Sequence, residues 1–93
     1  MPIVSGSKLK LADEVLFRDF EDESVLLNLA DESYYGLDQV GTEMWRAVSA
    51  TASFGEAINR IQETFDADER AIEADFMELM HELWKKGIVV VEE

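Results

Sequence analysis

The chain has 93 residues, 47% of them hydrophobic and one of them proline, and its 8 Lys and Arg face 21 Asp and Glu for a formal net charge of -13. That length builds one domain whose single small core buries roughly 60 to 65% of the unfolded surface, and the apolar fraction is too high for a disordered chain. The charge disfavours a nucleic-acid surface, because phosphate binding draws on clustered Lys and Arg and these are scattered; the lack of cysteine removes disulfides, thiolate metal sites and thiol nucleophiles together.

Residues 1–12 open with Pro2, Ser5, Gly6 and Ser7 without sustained periodicity and read as a frayed lead-in. They show neither the charged nor the apolar region of a signal peptide, and no apolar run approaches the roughly 18 to 20 residues that span a bilayer, so a cytoplasmic protein is expected. From Glu14 to Phe20, Val15, Phe17 and Asp19 alternate with Leu16, Arg18 and Phe20 as in a strand. Glu21-Asp22-Glu23 forms a polar turn. Ser24 to Ala30 reads as a second strand, with Val25, Leu27 and Leu29 assigned to the core face. Asp31 and Glu32 lead into a third strand, Ser33 to Leu37, whose Tyr35 and Leu37 point one way and Tyr34 and Gly36 the other. The three form an antiparallel meander.

Asp38 is placed to cap a helix from Gln39 to Ala50, where Val40, Met44, Ala47 and Val48 recur at helical spacing and Trp45 is expected in the core. Ser53 with Glu56 makes a capping box for a second helix, whose stripe Phe54, Ala57, Ile58, Ile61 and Phe65 ends near Phe65. Asp66 and Asp68 start a third, longer helix, which Lys85, Lys86 and Gly87 terminate with positive charge and a left-handed cap. Ile88 to Val91 is a short strand, assigned to the edge of the first one. The whole is an α+β, winged-helix-like domain, β-β-β-α-α-α with a short C-terminal strand.

Few residues suit catalysis. His81, the one histidine, falls opposite the stripe of Ile72, Phe76, Leu79 and Leu83 and reads as solvent-exposed. Glu73, Asp75, Glu78 and Glu82 lack the ordered spacing of a calcium loop and read as a solvated face. No metal and no cofactor is expected. Met77, Met80 and Trp84, by contrast, widen the apolar face of the third helix on one flank, as a partly exposed binding surface would. The third strand is the matching half of a groove, since Ser33-Tyr34-Tyr35-Gly36-Leu37 sits at the sheet edge without the Lys or Pro that usually blunts one. An extended peptide could add there as a fourth strand.

The stretch Tyr34, Tyr35, Leu37, Asp38, Gly41, Met44 and Trp45, followed by Asp75-Phe76, Leu79-Met80, Leu83 and Gly87-Ile88-Val89, resembles the PqqD-like family of recognition elements for ribosomally synthesised precursor peptides. The resemblance runs from about Val15 to Val89. It implies a non-catalytic monomer that binds a precursor's leader through Ser33, Tyr34, Tyr35, Gly36, Leu37, Met77, Met80 and Trp84. The short length and the Tyr-Tyr-Gly-Leu form look most similar to the stand-alone leader-binding members of lasso-peptide pathways, which present the leader to a cysteine peptidase. The alternative it implies is a PqqD-type chaperone for a radical-SAM or other modifying enzyme in quinone-cofactor or other peptide biosynthesis. One departure is Ala30-Asp31-Glu32-Ser33, where many relatives carry an Asp-Thr-Gly-like turn.

Overall fold

The computed structural model describes residues 3–4, 6–65 and 68–92. Its elements run β1 (Lys8–Leu11), β2 (Val15–Phe20), β3 (Glu23–Asn28), β4 (Ser33–Leu37), α1 (Gln39–Ala50), α2 (Phe54–Thr64), α3 (Glu69–Lys85) and β5 (Val89–Glu92). Strands β2, β3 and β4 form the expected antiparallel meander, with Phe17 opposite Leu26 and Leu26 opposite Tyr35. The fold is α+β, with the three helices following the meander as the sequence pattern indicates.

Three expectations give way. Within the lead-in, residues 8–11 form β1, and Ile3 and Leu9 are buried in the core. Strand β5 pairs antiparallel with this β1, Leu9 against Val91 and Leu11 against Val89, and not with the edge of β2. Lys8-Leu9-Lys10-Leu11 does alternate, but over only four positions, too few to stand out until β5 supplies the partner. In β3 the core face is the opposite one: Leu26 and Ser24 are fully enclosed, Val25 and Leu27 are half-buried and Leu29 is exposed. Because the side-chain period is two, a strand apolar on both faces does not declare its inner one. Here Ser24 decides it, since its Oγ lies 2.8 Å from Thr42 Oγ1 of α1 inside the core.

The helix signals act as read. Asp38 Oδ1 accepts from the Gly41 N–H at 2.8 Å, and Ser53 Oγ accepts from the Glu56 N–H while Glu56 Oε2 reaches back to the Ala52 N–H. Asp68 caps α3 through the Arg70 N–H; Asp66 lies outside the described residues. At the far end Gly87 takes a φ of 73°, the Ile88 N–H bonds the Leu83 carbonyl and the Gly87 N–H bonds the Trp84 carbonyl. This is a Schellman cap, and its buried Ile88 turns the chain back into β5. Phe54 of α2 meets Phe76 of α3 edge to face, with ring centroids 5.0 Å apart, and Trp45 is buried as expected.

Candidate functional site

Strand β4 ends the meander, and no strand among the described residues pairs with its outer side. Two anchors hold it in place. The Leu37 side chain is buried at the strand end, and the Thr42 hydroxyl, shared with Ser24, also reaches the Leu37 carbonyl at 3.4 Å. Gly41 lets the first turn of α1 press against this end, since a Cβ there would stand 3.3 Å from both Asp38 Oδ1 and Leu37 Cδ2. The strand edge is therefore rigidly presented although unpaired.

Beside that edge, between β4 and α3, lie two adjoining hollows. One, of about 400 Å³, is lined by Tyr35, Leu37, Asp38, Val40, Gly41, Met44, Asp75 and Leu79. The other, of about 290 Å³, is lined by Tyr35, Asp75, Glu78, Leu79 and Glu82. Tyr35, Asp75 and Leu79 border both, so the two form one groove, richer in apolar side chains near the start of α1 and in carboxylates toward Glu82. Glu82 faces Lys86 at 3.6 Å, while Asp75 and Glu78 have no cationic partner among the described residues.

The expected binding residues divide. Tyr35 and Leu37 face the groove, whereas Tyr34 is 75% exposed on the outer sheet face, in one cross-strand row with Leu27 and Leu16. Ser33 and Gly36 are exposed and can contribute main-chain groups. On α3 the groove lies on the flank opposite to the expected one. Met80 is fully buried and completes the core stripe with Ile72, Phe76 and Leu83, and Leu79 instead turns to the groove. At about 100° per residue, Asp75, Glu78, Leu79 and Glu82 share one flank of that stripe and Met77 and Trp84 the other. Met77 and Trp84 are half-buried against the core, and the Trp84 ring lies 6.4 Å from the half-buried His81. Val40, Met44 and Leu79 are the apolar lining residues absent from the expected set, and Asp75, Glu78 and Glu82 the acidic ones. For Leu79 the signal was there: both it and Met80 fit the apolar stripe of α3, and only one of the two can complete it.

Asp31 shapes the entry to β4. Its carboxylate accepts from the Ser33 hydroxyl at 2.5 Å and from the Ser33 N–H at 3.0 Å, and these bonds, the hydroxyl first, hold its pKa below the ordinary aspartate value. Glu32 in this turn adopts a φ of 61°. The turn without an Asp-Thr-Gly sequence is thus built on an Asp–Ser pair.

The sequence matches the family described as Coenzyme PQQ synthesis protein D (PqqD) over residues 23–89. Among solved structures it is similar to "TbiB1 in Complex with the TbiA(beta) Leader Peptide", at 29% identity and a TM-score of 0.79, over 86% of this chain and 93% of that one. No curated protein matches it. Among the described residues no helix is long and apolar enough to cross a membrane.

Proposed function

The chain belongs to the PqqD family, and on that premise we propose that it binds the leader region of a ribosomally synthesised precursor peptide, which adds as a strand to β4. The observation that carries this reading is the unpaired β4 edge beside the groove of Tyr35, Leu37, Val40, Met44 and Leu79. A peptide strand there gains main-chain hydrogen bonds from the edge and apolar contact from the groove, the two components of strand addition. The similar structure was solved with a leader peptide bound, which supports the same ligand class here. Ser33 through Leu37 supply the main-chain ladder, and Leu79 takes the place first assigned to Met80. Met77 and Trp84, on the other flank of α3, touch only a leader that wraps past the helix.

Binding requires no metal and no cofactor, and the domain presents the leader to a separate processing enzyme rather than acting on it. The Tyr34-Tyr35-Gly36-Leu37 form favours the cysteine leader peptidase of a lasso-peptide pathway as that partner. A PqqD-type role beside a radical-SAM enzyme is the second reading, favoured by the family's own description. Calorimetry with the leader of the precursor encoded nearest to this chain tests the binding reading. A Kd tighter than about 100 μM, roughly -5.5 kcal/mol, is expected; no heat at that concentration removes it. Pull-down of the leader-loaded domain with each candidate enzyme separates the two partners.

A further inference from the structure

The groove beside β4 is not uniform, and its two ends ask for different side chains. Near α1 it offers Leu37, Val40 and Met44 beside Asp38, past Tyr35 it offers Glu78 and Glu82, and Asp75 and Leu79 border both. A peptide lying along β4 as a strand sends alternate side chains to the groove, about 6.6 Å apart for each pair of residues. The intervening ones project along the outer face with Tyr34 and Gly36.

From this geometry we infer that the peptide recognised here carries an apolar side chain and a Lys or Arg separated by an even number of residues, two or four. The inference rests on the reading of the groove as a leader site and adds to it the chemistry of the leader. The apolar side chain fills the hollow at Leu37 and Leu79. The cation, one or two pleats further along, meets carboxylates of which Asp75 and Glu78 have no cationic partner among the described residues. Two spacings fit because the hollows adjoin, with Tyr35, Asp75 and Leu79 bordering both. The formal net charge of -13 favours the approach of the same basic peptide at long range. An acidic residue at the second position would instead face like charge, which makes the groove selective as well as attractive.

Random twelve-residue peptides displayed on phage, selected against the whole protein, test this without knowledge of the natural precursor. Enriched sequences are expected to pair an apolar with a basic residue at a separation of two or four, in one chain direction. In a synthetic peptide of the most enriched sequence, replacing that basic residue by Glu is expected to weaken binding about tenfold or more, with the difference shrinking as salt rises. The exposed pair Asp75→Lys and Glu78→Lys, with its fold checked by circular dichroism, is expected to invert the preference toward acidic peptides. Peptides that lose binding when β4 is broken by Gly36→Pro, yet show no basic preference or show it at odd spacing, overturn the inference and leave the leader reading standing. Selection of no peptide that depends on β4 overturns both.

Discussion

The two outer strands of one sheet meet their surroundings in opposite ways. Strand β2 carries Arg18 and Asp19, and its end is clamped by Arg46 of α1, which bonds both Asp19 carboxylate oxygens at 2.7 and 2.6 Å and the Glu21 carbonyl at 2.8 Å. Glu43 joins the same guanidinium, and its two carboxylate partners, Asp19 first, raise the Arg46 pKa further above its already high value. Strand β4 carries no charged side chain at all, only Ser33, two tyrosines, Gly36 and Leu37. Charge on an edge discourages another strand from pairing with it. The difference leaves β4 the edge more open to an added chain.

Proline is the sharpest way to break the comparison. Placed at the outward-bonding pair of β4, either Tyr34 and Gly36 or Tyr35 and Leu37, it removes a ladder donor and should lower leader affinity by more than about a hundredfold. At the outward pair of β2 the affinity should change by less than about threefold, provided circular dichroism shows the fold intact. Equal tolerance at all four β4 positions, read by calorimetry, means the leader does not add to this strand.

Next in size is a pair of alanine variants on α3. Met80→Ala empties a fully buried position and should cost about 2–5 kcal/mol of stability in urea unfolding, with little change in leader affinity at concentrations where the protein is folded. Leu79→Ala should behave in the reverse sense, with a loss of about tenfold in affinity and a smaller loss of stability. If Met80 proves the binding residue and Leu79 the structural one, the helix is rotated relative to this account.

Smaller effects sharpen the contrast between the strands. Arg46→Ala should lower the thermal midpoint by less than Met80→Ala does and leave leader affinity unchanged, because its bonds lie at the β2 end. Asp31 gives a pH signature on the β4 side. Its folded pKa is depressed by Ser33, so the stability it contributes is present above its unfolded value and is lost as pH falls through the lower, folded one. An NMR titration should place the Asp31 carboxyl below ordinary aspartates, and Ser33→Ala should move it up.

How far the sequence could be read depended on how local each determinant is. Caps at Asp38, Ser53, Asp68 and Gly87 act within a few residues, and all were legible. The alternation of β4 was legible too, Tyr35 and Leu37 on one face and Tyr34 and Gly36 on the other, but not which face turns inward. The inner face of β3 was not legible, since Val25 and Leu27 are as apolar as Leu26 and the deciding Ser24–Thr42 bond spans 18 residues. Strand β1 was missed for the same reason, as its partner β5 lies at the other end of the chain. On α3 the placement that buries Met80 and turns Leu79 toward β4 is set by contacts with other elements and not by its own periodicity, so the groove was expected on the flank of Met77 and Trp84, whereas the hollows lie on that of Asp75 and Leu79.

Amide chemical shifts and hydrogen exchange, followed residue by residue as leader peptide is added, test the central claim most directly. The account predicts that alternate amides of β4, one of the sets Tyr34 and Gly36 or Ser33, Tyr35 and Leu37, become protected while the amides of β2 keep their exchange rates. Protection along β2, or uniform small shifts with no alternation in β4, would contradict it.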